Sequence, residues 1–101
     1  MDAFSQPVKL LVLSPEKLKE ATRLTLEADW IFDASQLSID ETFVLAYQNF
    51  LNALKTEKYS RVLVAKATYL SLFPNDCIVV PTLGEAEDLI EMERIERDLG
   101  F

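Results

Sequence analysis

The chain contains no histidine, one cysteine and only two glycines among its 101 residues. Without histidine, Ser-His-Asp and Cys-His catalysis, imidazole-bound zinc and the usual proton shuttle near neutral pH are excluded. Because Gly84 and Gly100 are the only glycines, the chain cannot contain a dinucleotide-binding fingerprint or a P-loop. The sequence therefore predicts a protein that is not an enzyme, with no metal ligands and no cofactor.

The single cysteine, Cys77, cannot form an intramolecular disulfide, so a reducing compartment fits best. Its apolar surroundings in the sequence favour a small core residue over a reactive thiol. No apolar run approaches the roughly 20 residues of a membrane-spanning helix. Residues 1–7 lack the basic start and apolar core of a signal peptide. We therefore expect a cytoplasmic protein without a membrane span.

Acidic residues outnumber basic ones, and the formal net charge is -7. An acidic chain repels phosphate backbones, so we expect no nucleic-acid partner. Half of the residues are apolar, which is enough for one small core. The length and the absence of linker-like stretches predict a single domain over residues 1–101.

Four apolar segments predict strands. Residues 62–65 lack a polar alternation, which is typical of a strand buried on both faces of a parallel sheet covered by helices. Residues 8–13, 30–34 and 77–80 predict the other three strands. Residues 68–76 connect the last two strands, either as a short helix or as an irregular loop.

Capping residues predict where helices begin. Ser14 followed by Pro15 predicts a helix that extends to about residue 27. Ser38, with Glu41 three residues later, forms a capping box before a helix that extends to about residue 56. That helix is apolar over more than half of its circumference, so it should be buried on two sides. The sheet provides one side, and either a neighbouring helix or a second subunit provides the other.

The last helix begins with a second capping box, Thr82 and Glu85, and ends at Gly100. Its predicted inner stripe contains apolar residues at helical spacing: Ala86, Leu89, Ile90, Ile95 and Leu99.

These segments give the order strand, helix, strand, helix, strand, strand, helix. Such alternation predicts right-handed crossovers and a mostly parallel sheet in an α/β sandwich of two or three layers. We expect four strands in the spatial order 2-1-3-4.

Ligands of open α/β sheets bind beyond the carboxyl ends of the strands. Asp33 and Lys66 end two of the predicted strands, as in a phosphoacceptor site. The acidic pair that would hold magnesium after the first strand is replaced by Ser14 and Pro15. The two interpretations are a receiver-like phospho-regulated or small-ligand site, and a structural role in which Asp33 caps a turn and Lys66 is a rim charge.

The C-terminal segment 82–101 contributes five of the seven net negative charges. Its face, which includes Glu91 and Arg94, is either solvated and held by pairs such as Glu93–Arg97, or an acidic docking face for a basic partner. Two aromatic residues outside the predicted strands, Tyr69 and Phe101, either join the core or contact a partner.

The second half of the chain resembles the STAS family, which includes anti-sigma-factor antagonists and the cytoplasmic ends of sulfate transporters. The resemblance covers the strand at 31–35, a helix entered through Ile39 and Asp40, the strand at 61–66 and the segment 78–86. The family's phosphoacceptor segment is Asp-Ser-Ser-Gly, and residues 40–43 match it only at Asp40, with Thr42 in place of the phosphorylated serine. The resemblance implies a non-enzymatic regulatory domain.

From residues and resemblance together we expect a protein–protein interaction or regulatory domain, with a homodimer as one form. The alternative is the receiver-like domain that uses Asp33 and Lys66.

Overall fold

The computed structural model describes residues 7–14, 16–19, 24, 27–54 and 58–100, which form a four-stranded, all-parallel sheet between helical layers. The predicted α/β class with a parallel sheet is confirmed. In register, Trp30 lies opposite both Lys9 and Arg61. In chain order the elements are β1 (Lys9–Val12), β2 (Trp30–Asp33), α1 (Glu41–Leu54), β3 (Arg61–Val64), a 3-10 helix (Ala67–Leu72), β4 (Val79–Val80) and α2 (Leu83–Asp98).

The strands lie in the order β1-β2-β3-β4, so the predicted order 2-1-3-4 is wrong. The prediction required β1 to be an interior strand covered on both faces. Instead β1 is an edge strand, and its side chains Leu10 and Val12 are 51% and 58% exposed. β2 and β3 take the interior positions, and all their residues except half-buried Asp33 are buried.

Every residue of β3 is buried, which confirms the prediction made from residues 62–65. Because side chains alternate along a strand, the sheet has two distinct faces. We call the side that carries Phe32 and Leu63 the aromatic face, and the side that carries Ile31 and Val62 the α2 face.

The aromatic face is covered by α1 and by the connections on both sides of it. Phe32 packs edge-on against Tyr47 and Phe50 of α1, with ring centroids 6.2 and 5.0 Å away. Tyr47 in turn contacts the ring of Phe73, in the segment between β3 and β4, at 6.1 Å. Leu18, from the segment between β1 and β2, packs against the same cluster. The width of the apolar surface of α1 is therefore explained by neighbours within the chain.

The α2 face is covered by α2, which contacts β2, β3 and β4. Ala86 and Ile90 of α2 pack against Ile31, Val62 and Val64. Consecutive parallel strands that are spatial neighbours place all their right-handed connections on one face. This rule accounts for the crowded aromatic face and for the single helix on the other.

Side-chain caps define the helix starts. Thr82 accepts a hydrogen bond from the Glu85 amide at 3.2 Å, which confirms the second capping box. The cap of α1, however, is Asp40, whose carboxylate accepts a hydrogen bond from the Phe43 amide at 2.9 Å. The assignment to Ser38 was wrong because the helix begins at Glu41, and Asp40 is the residue directly before it.

The remaining expectations concern helix ends and connections. Gly100 follows α2 with a φ of 80°, the left-handed conformation that glycine adopts most easily, as predicted for the helix end. Ser14 accepts a hydrogen bond from the Lys17 amide at 3.3 Å, and a 3-10 turn follows at residues 17–19. Most of the helix predicted to extend to residue 27 lies outside the described residues. The 68–76 connection contains the 3-10 helix, so the short-helix alternative is confirmed.

Candidate functional site

The carboxyl ends of the parallel strands lie side by side, but Asp33 at the end of β2 forms its hydrogen bond within its own turn. The Asp33 carboxylate accepts a hydrogen bond from the Ser35 amide at 2.9 Å, which closes a turn after β2. Lys66 is exposed directly before the 3-10 helix. Within the described ranges, no ion pair joins Asp33 to Lys66, and no group of three or more ligating side chains is positioned to hold a metal ion. These contacts agree with the interpretation in which Asp33 caps a turn and Lys66 is a charge at the rim of the sheet.

The start of α1 holds the two residues singled out by the STAS resemblance. Asp40 is engaged as the helix cap, and Thr42 is exposed within the first turn. Glu41, also exposed, places a second acidic side chain beside Thr42.

Tyr69 and Cys77 lie in the connection between β3 and β4. Both are half-buried and pack against the core of the aromatic face. Burial raises the pKa of the Cys77 thiol, and the neighbouring Asp76 carboxylate acts in the same direction. A raised pKa leaves little thiolate at neutral pH, which suits the core interpretation of Cys77.

The inner side of α2 differs from the predicted stripe. Ala86 and Ile90 are buried as expected, but Ile95 and Leu99 are exposed. The third buried residue of α2 is Arg94, which is only 7% exposed. A cation on the inner side of the helix requires a partner, and the partner is a buried carboxylate of the sheet.

Asp29, which is 3% exposed, lies directly before β2 and connects the sheet to α2. Its carboxylate accepts hydrogen bonds from Arg94 Nε at 2.6 Å and from Arg97 Nη2 at 3.2 Å. The Ser60 amide, directly before β3, donates to the same carboxylate at 2.6 Å. We call Asp29, Ser60, Arg94 and Arg97 the amino-end cluster.

Arg61 extends the hydrogen bonding of the amino-end cluster towards α1. Its guanidinium donates to the carbonyl oxygens of Ala28, Ser60 and Leu54, the last at the end of α1. Desolvation lowers the pKa of Arg61, and the nearby Asp29 carboxylate opposes this shift. Backbone carbonyl and amide groups at the amino end of the sheet are thus hydrogen-bonded by Arg61 and Asp29. This arrangement supports a structural role for the amino-end cluster.

Sequence reasoning missed the amino-end cluster. It assigned Arg94 to an outer face and paired Arg97 with Glu93, whereas both arginines turn inward to Asp29. The available signal was an aspartate directly before an apolar strand, together with two arginines three positions apart in an otherwise acidic helix.

Two groups of exposed apolar side chains lie on the α2 side of the sheet, and Leu83 at the start of α2 is exposed as well. Met92, Ile95 and Leu99 lie on the outward side of α2, and we call them the α2 stripe. Leu10 lies opposite Ile31 in the register, so Leu10 and Val12 point to the α2 face, and we call them the β1 patch. Glu91 is exposed beside the α2 stripe, and Phe101 lies outside the described residues.

Comparison with protein-family models, curated proteins and solved structures found no match for this chain. In the part of the chain that the structure describes, neither α-helix has the length and apolar content needed to cross a membrane.

Proposed function

We propose that this domain acts by binding another protein through the α2 side of the sheet, without catalysing a reaction. The observation that supports this proposal is the α2 stripe. Met92, Ile95 and Leu99 are spaced three and four residues apart, so they share one side of the helix, opposite buried Ile90. A helix face that served only to contact water would carry polar residues at these positions.

The surroundings of the α2 stripe indicate the chemistry of the partner. Exposed carboxylates flank it at Asp88, Glu91 and Glu96. Apolar centres surrounded by charged rims are typical of protein-binding surfaces, since burial gives affinity and charge sets the association rate and the choice of partner. The partner surface is therefore apolar at its centre and basic at its margin.

The finer expectations from the sequence are part of this proposal. The STAS-like regulatory role would use the exposed start of α1 around Thr42. A homodimer and a cytoplasmic location also stay predictions. The receiver-like alternative would use Asp33 and Lys66. It is tested by titrating the domain with magnesium and beryllofluoride while the NMR signals of Asp33 are recorded. No chemical-shift change at Asp33 would contradict this alternative.

Affinity capture from native extract tests the proposed function. Wild-type domain is compared with the double variant Met92→Ser/Leu99→Ser and with the control Leu45→Ser, which alters an exposed leucine on the far side of the molecule in α1. We expect one captured protein to be lost with the double variant and retained with the control. Retention of every captured protein by the double variant would contradict the proposal.

A further inference from the structure

We propose that the partner contributes an amphipathic helix with a basic flank, which lies beside α2 over the β1 patch. This inference rests on the proposed function and adds a second contact for the same partner, because the α2 stripe faces away from the sheet and the β1 patch lies on it. It starts from the two β1 side chains, Leu10 and Val12, which are 51% and 58% exposed, whereas Ile31, Val62 and Val64 on the same sheet face are buried.

The dimensions of the sheet indicate a helix as the missing element. Parallel strands lie about 4.8 Å apart, and a helix with its side chains is about 10 Å across, so one helix covers about two to three strands. The contacts of α2 go to β2, β3 and β4. Among the described residues, Leu10 and Val12 of β1 are exposed on the α2 face, at the edge of the sheet beyond β2. A helix laid parallel to α2 has the width needed to cover them.

The aromatic face shows what a covered β1 looks like. There Leu11 is half-buried and Leu13, directly after β1, is buried, and Leu18 and Leu24 pack against the same core. The same strand is thus closed on one side and open on the other. An apolar strip of this kind is stabilised when a second apolar surface removes it from water.

The charge of α2 indicates a basic occupant. Both exposed flanks of the helix carry carboxylates, Glu87, Glu91 and Asp98 along one and Glu85 and Glu96 along the other. Whichever flank borders the β1 patch, a helix laid there has an acidic neighbour. Lysine or arginine on that side of the incoming helix would pair with it, whereas acidic side chains would be repelled.

A second copy of this chain fits the β1 patch less well. Each copy has a net charge of -7, and its own α2 repeats the same carboxylates. Two β1 edges could pair through their backbones, but such hydrogen bonds lie in the plane of the sheet. Leu10 and Val12, which point out of that plane, would stay exposed.

A labelled synthetic helix of leucine and lysine, with leucine along one face, is the probe. Its fluorescence anisotropy is titrated with the full chain and with the variants Leu10→Lys and Val12→Lys; Leu45→Lys, on an exposed side chain of α1, is the matched control. We expect each β1 variant to weaken binding at least tenfold and Leu45→Lys to leave it unchanged within twofold. Circular dichroism melts confirm that each variant folds, as expected for exposed positions.

Three results would overturn the inference. The first is equal weakening by Leu45→Lys, which would indicate binding through overall charge. The second is equally tight binding of the probe with glutamate in place of lysine. The third is a light-scattering mass of a dimer that becomes a monomer in Leu10→Lys, since the occupant would then be a second copy.

The two proposals fail separately. If the native partner is lost with Met92→Ser/Leu99→Ser but is captured normally by Leu10→Lys, the protein-binding function stands and the helix over the β1 patch is wrong. If the double variant retains every captured protein, the proposed function itself fails, whatever the synthetic helix does.

Discussion

The two faces of the sheet are covered in different ways. The aromatic face is closed by rings, with Phe32 in contact with Tyr47 and Phe50. The α2 face is covered by one helix whose C-terminal half is held by the ion pairs from Arg94 and Arg97 to Asp29. The aromatic face is therefore stabilised mainly by apolar burial. The α2 face combines a small apolar contact with a polar anchor, and Leu10 and Val12 are exposed on it.

The largest expected effect tests the aromatic face. Phe32 is fully buried between β2 and α1, so Phe32→Ala removes apolar contacts and leaves a cavity. We expect the free energy of unfolding to fall by about 4 kcal/mol, measured by urea denaturation. Phe32→Leu is the matched variant, and it should lose less than about 1.5 kcal/mol because most of the volume is kept. Equal losses would mean that packing does not hold this face.

The next effect tests the polar anchor of the α2 face. Asp29→Ala leaves buried Arg94 without its carboxylate and the Ser60 amide without its acceptor. We expect a loss of about 3 kcal/mol, at the lower end for a broken buried pair, because Arg97 is partly exposed and can turn to water.

The double variant Asp29→Leu/Arg94→Met is the control for that anchor. It removes both charges and keeps an apolar contact, so it should recover most of the lost free energy of unfolding. A double variant as unstable as Asp29→Ala would contradict the view that the uncompensated charge causes the loss.

The smallest effect has the opposite sign. The hydroxyl of Tyr47 is buried in the aromatic cluster and has no hydrogen-bond partner among the described residues. Since an unpaired buried hydroxyl costs free energy, Tyr47→Phe should stabilise the protein by about 1 kcal/mol at neutral pH. A loss of stability in Tyr47→Phe would indicate a hydrogen bond at this hydroxyl.

The same substitution has a pH signature. Burial raises the pKa of Tyr47 above its ordinary value, and the nearby Cys77 thiol adds to this shift while Arg61 opposes it. The folded state therefore keeps the proton after the unfolded chain has lost it. Above about pH 10 the wild type should lose up to about 1.4 kcal/mol of stability per pH unit relative to Tyr47→Phe. Parallel stability curves of the two proteins in alkali would contradict the raised pKa.

The sequence was informative where local patterns decide the structure. Unbroken apolar character identified β3 as the buried strand, and Thr82 with Glu85 identified the start of α2. The spatial order of the strands could not be predicted from the sequence, because β1 has the apolar composition of an interior strand and yet lies at the edge of the sheet.

The candidate site shows the same division. The spacing of α2 predicted an inner stripe, but the choice between Arg94 and Ile95 depended on Asp29, which is 65 residues away from Arg94 in the chain. Periodicity in one helix carries no information about a buried charge on a distant strand. The sequence suggested a shared site for Asp33 and Lys66, because the carboxyl ends of parallel strands meet at one edge of the sheet. In the structure the Asp33 carboxylate accepts a hydrogen bond from the Ser35 amide, and Lys66 is exposed.

The measurement that tests the binding surface most directly is an amide chemical-shift map of the labelled domain titrated with the captured partner or with the leucine–lysine helix. The account predicts shifts at Leu10, Val12 and along α2, with the outer side of α1 around Leu45 unchanged. Shifts confined to α1, or to the strand ends at Asp33 and Lys66, would contradict it.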